Sequence, residues 1–262
     1  MKIIAIANQK GGVGKTTTAV NLAACLAVKG CRVLLIDIDP QANATSALGF
    51  EDRRGQSLYK ALVGLANIRD AIRPTRFETL FFIPADMDLA GAEVEVARLD
   101  QHLTRLRTVL YELNEDPPPP WDYLLLDCPP SLGILMTNAL AAADEILLPL
   151  QGEYYALQGL SKINEVIKMI RDTGANPHLK IGGILMTMYD SRTSLNRQVL
   201  ADVKEYFGDD VFKTLIPRTI RLGEAPSFGK TIIEYDPNSV AALAYHALAD
   251  EFLERQGEPV QT

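Results

Sequence analysis

The segment Lys10-Gly11-Gly12-Val13-Gly14-Lys15-Thr16-Thr17 constrains this chain more than any other stretch. It follows a short apolar run, Ile3-Ile4-Ala5-Ile6-Ala7, and precedes apolar positions at Ala19, Leu22, Ala23, Leu26 and Ala27. The first run reads as a strand and the second pattern as a helix. Strand, Gly-rich turn and helix in that order form the context that a phosphate-binding loop requires. The glycines let the backbone approach an anion and adopt positive φ. Backbone N–H groups and the helix N-terminus then favour phosphate oxygens. In such a loop Lys15 would reach the β- and γ-phosphates, and the Thr16 hydroxyl would ligate Mg²⁺.

The strict G-x-x-x-x-G-K-[ST] pattern fails, because Gln9 stands where its first glycine belongs. A second lysine, Lys10, directly precedes two glycines instead. This loop resembles the deviant Walker A loop of the ParA/MinD group of P-loop ATPases. In that group the early lysine crosses to the γ-phosphate held by a partner subunit. The resemblance therefore implies an ATP-bridged homodimer.

Further segments carry the same resemblance. Val33-Leu34-Leu35-Ile36 reads as a parallel strand buried on both faces, and Asp37-Ile38-Asp39-Pro40-Gln41 follows it. Carboxylates at that edge of a parallel sheet face the ligand crevice. The run is similar to the group's switch I, which implies that Asp39 orients the attacking water and Asp37 supports the Mg²⁺ shell. A turn or helix-capping role is the alternative for Asp37. Leu124-Leu125-Leu126-Asp127 has the Walker B arrangement, and Cys128-Pro129-Pro130-Ser131 after it resembles switch II. Asp127 would then hold a Mg²⁺-bound water. Gln151-Gly152-Glu153-Tyr154-Tyr155-Ala156-Leu157-Gln158-Gly159-Leu160 is close to the chromosomal ParA/Soj branch. By that resemblance Glu153 lies near the partner's nucleotide, with a solvated loop glutamate as the equal alternative.

The remaining spacing predicts a doubly wound, mostly parallel sheet flanked by helices on both faces, one P-loop ATPase domain over 1–262 with no N-terminal DNA-reading extension. Ser57 would cap a short helix through Val63, Leu80–Ile83 would form a strand, and Asp88 would cap a helix from about Leu89. Val96, Leu99, Leu103, Leu106, Leu110 and Leu113 form one apolar stripe, which predicts a single helix. Prolines 117–120 read as a stiff exposed connector and residues 51–55 as a solvated charged turn. Strands at Glu145–Leu150, Lys180–Met188 and Val211–Ile216 would alternate with helices at 157–171 and 195–207. A last helix would run over 239–255. Met188, Pro217 and Arg218 are read as walls of an adenine site. No N-K-x-D signature is present, which favours ATP over GTP.

The net charge of −7 argues against binding nucleic acid through bulk charge. Within 212–230, however, Lys213, Arg218, Arg221 and Lys230 face only Glu224. The ParA resemblance implies that Arg192 and Arg221 contact nonspecific DNA in the ATP dimer, through phosphate-directed and salt-sensitive contacts. Surface ion pairs are the alternative reading of these arginines. Three cysteines without a C-x-x-C pair fit reduced thiols in the cytoplasm. Neither a signal peptide nor a membrane span is expected, and the acidic tail lacks the basic face of a membrane-anchoring helix.

The resemblance as a whole implies a ParA/Soj-type partitioning ATPase using ATP/ADP and Mg²⁺. It would associate with the nucleoid and be stimulated by a ParB/Spo0J-type partner. A MinD-like membrane-associated switch is the alternative. Iron–sulfur and biosynthetic ATPases are further rivals, the first lacking suitably spaced cysteines.

Overall fold

The computed structural model describes residues 1–50, 57–114 and 121–257. The charged turn at 51–55, the prolines at 117–120 and Glu258 lie outside the described residues. The strands are β1 (Lys2–Ile6), β2 (Val33–Asp37), β3 (Arg73–Pro74), β4 (Leu80–Ile83), β5 (Tyr123–Asp127), β6 (Glu145–Gln151) and β7 (Lys180–Thr187). They form one sheet in the order β3-β4-β2-β5-β1-β6-β7. Every pairing is parallel except that of β3 with β4.

The helices in chain order are α1 (Lys15–Val28), α2 (Asn43–Ala47), α3 (Tyr59–Leu62), α4 (Leu89–Val96), α5 (Arg105–Tyr111) and α6 (Ile134–Ala142). They continue with α7 (Ala156–Asp172), α8 (Ser194–Phe207), α9 (Arg221–Glu224), α10 (Ile232–Tyr235) and α11 (Val240–Gln256). Because successive side chains of a strand point to opposite faces, the apolar strands feed two cores. Ile4, Ile6, Val33, Leu35, Tyr123 and Leu125 pack with α1 and α11. Ala5, Leu34, Ile36, Leu124 and Leu126 pack with α3 to α8. This double burial explains why β1, β2 and β5 read as continuous apolar runs.

Two expectations are corrected. The stripe from Val96 to Leu113 is not one helix: α4 ends at Val96 and α5 begins at Arg105. Gln101 between them has φ 46°, and Leu99 is exposed. Asn138 of α6 explains the break. Its amide donates to the His102 carbonyl at 2.7 Å, and its Oδ1 accepts from Leu106 N at 2.9 Å. A tertiary side-chain partner thus replaces intrahelical bonds, while the apolar stripe still buries Val96, Leu106, Leu110 and Leu113.

Val211–Ile216 is likewise not a strand. Phe212 N and Ile216 N donate to Ile184 and Met186 carbonyls, both at 2.9 Å. Between them, Lys213 N and Thr214 N turn to the Glu251 carboxylate of α11 at 2.7 and 2.8 Å, which interrupts the ladder.

At the helix starts, Ser57 accepts from Tyr59 N at 3.2 Å. Asp88 occupies the cap position of α4 without making a cap bond. Gly183 of β7 lies against the buried Phe212 ring, where an added Cβ would stand 2.2 Å from a ring carbon. Gly183→Ala is therefore expected to overpack this edge and cost about 1–3 kcal/mol, read by urea denaturation.

Candidate nucleotide site

The cleft lies at the C-terminal ends of β1, β2 and β5, where the parallel topology gathers the loops after each strand. It has a volume of about 430 Å³ and is lined by Gly11, Gly12, Gly14, Lys15, Thr16, Thr17 and Asp39 among others. Gly12 and Gly14 have φ of 74° and 84°, the left-handed conformation that glycine adopts without penalty. No side chain caps α1 at Gly14. The first N–H groups of a helix have no intrahelical acceptors, so this end of α1 is open to an anion.

Second contacts hold the loop. Asn8 Nδ2 donates to the Pro149 carbonyl at 2.8 Å, and Asn8 Oδ1 accepts from Lys10 N at 3.0 Å. Thr187 Oγ1 donates to the Val13 carbonyl at 2.8 Å. Asn8 and Thr187 escape sequence reading because neither belongs to the loop's own pattern.

The two lysines diverge. Lys15 is buried, lines the cleft and donates to the Lys10 carbonyl at 3.1 Å. Burial lowers its ammonium pKa, and the carboxylates of Asp127 and Asp39 oppose that shift. Lys10 does not line the cleft; its half-exposed ammonium pairs with Glu153 of the same chain.

The three aspartates also differ. Asp37 and Asp127 end adjacent strands in direct register. Asp37 accepts from Thr45 N at 2.9 Å, Thr45 Oγ1 at 2.8 Å and Asp39 N at 3.1 Å. Its carboxyl pKa is pushed up to about 7, chiefly by complete burial. These bonds tie it to α2, and it does not line the cleft. Asp39 does line it, with Oδ1 accepting from Gln41 N at 3.0 Å. Asp127 is fully buried, and neither oxygen meets a donor in good hydrogen-bonding geometry among the described residues. Burial, with Asp37 alongside, pushes its carboxyl pKa well up, and the nearby Thr16 hydroxyl only tempers that rise.

A buried carboxylate without donors beside an open anion cradle suits a hard cation. Mg²⁺ is held by one or two protein oxygens plus phosphates and waters rather than by an all-protein cage. No cluster of three or more His, Cys, Asp or Glu able to hold a metal exists among the described residues. Thr16 and Asp127, with Asp39 at the cleft wall, form a donor set that fits the ion.

Met188, with φ 50°, lines both the cleft and an adjoining hollow of about 230 Å³ that also touches Gly14, Thr17, Pro217 and Arg218. The structure thus brings the three expected wall residues together next to the loop. Glu153 stands apart from the cleft with Lys10. The expected DNA-contacting arginines are each paired within the chain. Arg192 grips Asp190 at 2.7 and 2.9 Å, and Arg221 pairs with Glu224 at 3.2 Å and with Asp236 at 3.5 Å. The Arg192 guanidinium, with its own backbone N–H, holds the Asp190 carboxyl down at about 2. Cys25, Cys31 and Cys128 are buried and stand as thiols rather than as halves of disulfides.

A parallel sheet with its first βα turn shaped as an anion cradle, followed by an aspartate-ended central strand, defines a P-loop nucleoside triphosphatase fold. A family model described as "AAA domain" matches residues 1–181. The chain is 52% identical to the sporulation initiation inhibitor protein Soj of Bacillus subtilis, over 95% of this chain and 97% of that one. It is 49% identical to the chromosome partitioning protein ParA of Myxococcus xanthus, over 97% and 88% respectively. Among solved structures, cobyrinic acid a,c-diamide synthase from Mycobacterium smegmatis, with bound ATP analog and magnesium, superposes with a TM-score of 0.83. It is 36% identical and covers 100% of both chains. The chain belongs to the ParA/Soj family of partitioning ATPases.

Thr45 Oγ1 donates to Asp37 and also accepts from Ala85 N at 3.0 Å. Thr45→Val leaves both groups short of a partner in a buried place. It is expected to cost about 1–3 kcal/mol in a denaturant titration, with the nucleotide loop itself untouched.

Proposed function

We propose that this chain is an ATP-dependent dimerising switch for DNA segregation, hydrolysing ATP to ADP and phosphate with Mg²⁺. The observation that carries this reading is the divergence of the two loop lysines. Lys15 lines the cleft, whereas Lys10 is held outside it at a half-exposed position beside Glu153. A lysine so placed is available to a nucleotide presented by a second copy. The identity with Soj and ParA proteins supports the same reading.

In this reading Gly11 to Thr17 cradle the phosphates, and Met188, Pro217 and Arg218 wall the adenine. Thr16, Asp39 and Asp127 serve the cation, which neutralises phosphate charge when bound. Asp37 acts on that shell indirectly, by fixing the Asp39 backbone and α2. Asp39 orients water for in-line attack, a task that needs positioning more than a strong base. Lys15 and the partner's early lysine stabilise charge on the transferred group.

Arg192 and Arg221 engage DNA phosphates without reading sequence. Both arginines are themselves exposed, and pairs made at the surface hold weakly. The dimer presents two such patches and the monomer one, so nucleotide state sets DNA affinity. A DNA-bound ParB/Spo0J-type partner stimulates hydrolysis and resets the switch, giving a protein that works on the nucleoid.

No helix among the described residues is long and apolar enough to cross a membrane. A MinD-like action would use the membrane surface instead, so one experiment separates the readings. Asp39→Ala is expected to bind ATP, hydrolyse it poorly and accumulate as a dimer that random-sequence duplex DNA retains in ATP but not in ADP. Retention on anionic liposomes instead of DNA would move the protein to the membrane branch. Retention on neither, with ATP bound, would indicate a metabolic ATPase. Arg221→Glu is expected to dimerise with ATP yet lose DNA retention at moderate salt; unchanged DNA affinity would remove this arginine from the interface.

A further inference from the structure

Two separate segments wall the nucleotide cleft. Asn43 and Ser46 of α2 contribute from one side, and Leu222, Pro226 and Lys230 from the other. The first wall follows directly from Asp39. The second carries Arg221 and leads into α10. The walls meet behind the cleft at Gly49 and Gly229. A Cβ on Gly229 would stand 2.7 Å from Gly49 Cα, and one on Gly49 would stand 3.3 Å from the Gly229 carbonyl. Both glycines have positive φ, 78° and 59°, so backbone meets backbone where side chains do not fit.

Arg76, in the turn between β3 and β4, spans this seam. Its Nη1 donates to the Leu48 carbonyl at the end of α2, at 3.3 Å. Its Nη2 donates to the Gly229 carbonyl of the other wall. Nε and Nη2 together fork onto the Glu234 carboxylate at 2.6 and 3.1 Å. Glu234 in turn closes the start of α10, accepting from Thr231 N and Oγ1, both at 2.9 Å. One planar guanidinium therefore bonds both walls at once, a geometry that lysine cannot reproduce. A surface ion pair alone would bring little. Here the partners include two backbone carbonyls on segments remote in sequence, so the bonds fix the position of one wall against the other.

We infer that Arg76 is a positioning residue that makes α2 and the 221–235 segment respond to the nucleotide as one body. Changes at Asp39 on ATP binding or hydrolysis then reach the basic segment through the Leu48–Arg76–Gly229 link. The inference rests on the reading that nucleotide state governs DNA affinity. It adds the part that carries the signal, and Arg76 itself does not line the cleft. Coupling between sites needs such an element biased by both.

The test is Arg76→Met, which keeps the aliphatic stem and removes the donors. Three quantities are compared with wild type: affinity for a fluorescent ATP analogue, duplex DNA affinity with a non-hydrolysable ATP analogue and with ADP, and amide exchange over 221–235 with and without nucleotide. Nucleotide affinity should be retained, while the ratio of DNA affinities in the two states should shrink about tenfold. Nucleotide-dependent protection of 231–235, beyond the residues that line the cleft, should vanish while that of α2 persists. A variant with the wild-type ratio and wild-type protection overturns the inference. A wild-type protein whose DNA binding ignores nucleotide overturns the partitioning reading instead, and the exchange measurement then decides the link alone. If Arg76→Met does not fold, wild-type protein whose nucleotide protects α2 but not 231–235 is sufficient to overturn it.

Discussion

Two carboxylates buried side by side at the ends of β2 and β5 set the terms for the rest of this molecule. Asp37 and Asp127 are in register and fully buried; burial raises the cost of ionising both, and Asp37 adds to that cost at Asp127. The fold resolves the conflict unequally. Asp37 receives three donors and becomes part of the scaffold, drawing α2 onto the sheet. Asp127 receives none in good geometry and faces Lys15 and Thr16. An arrangement so poor in donors is costly without a cation and favourable with one. The site is therefore built for its ligand rather than for the stability of the empty chain.

That arrangement also divides labour within the loop. Lys15 sits among the acids, where burial lowers its pKa and the carboxylates restrain the fall. Lys10 contributes only its carbonyl to this centre and sends its side chain outward to Glu153. One lysine thus serves the chain's own cleft, and the other is held at the surface. Behind the cleft, Arg76 closes the seam between the switch wall and the basic wall. The glycines of that seam are needed because the two backbones nearly touch.

The phosphate loop and the two aspartate-ended strands were legible in the sequence because each is a local pattern with a local physical cause. Strand, turn and helix follow one another without interruption, and buried parallel strands announce themselves as apolar runs. The long apolar stripe from Val96 to Leu113 misled because periodicity records which side faces the core, not whether the backbone is continuous. Asn138, over thirty residues away in the sequence, supplies the bonds that break it. Val211–Ile216 misled for a similar reason, since Glu251 of α11 takes the amides that a ladder would have used.

What the sequence by itself determined is the class of the fold, the anion cradle and the identity of the acids and bases around it. These depend on residue type and short-range spacing. Only the tertiary structure decided what each group does there. It made Asp37 a strut and left Asp127 open, turned Lys10 away from its own cleft, paired Arg192 and Arg221 with carboxylates, and placed Arg76 across the seam. The reason is that a pKa, a hydrogen bond and a burial depend on neighbours brought together from distant parts of the chain, and no local pattern encodes those neighbours.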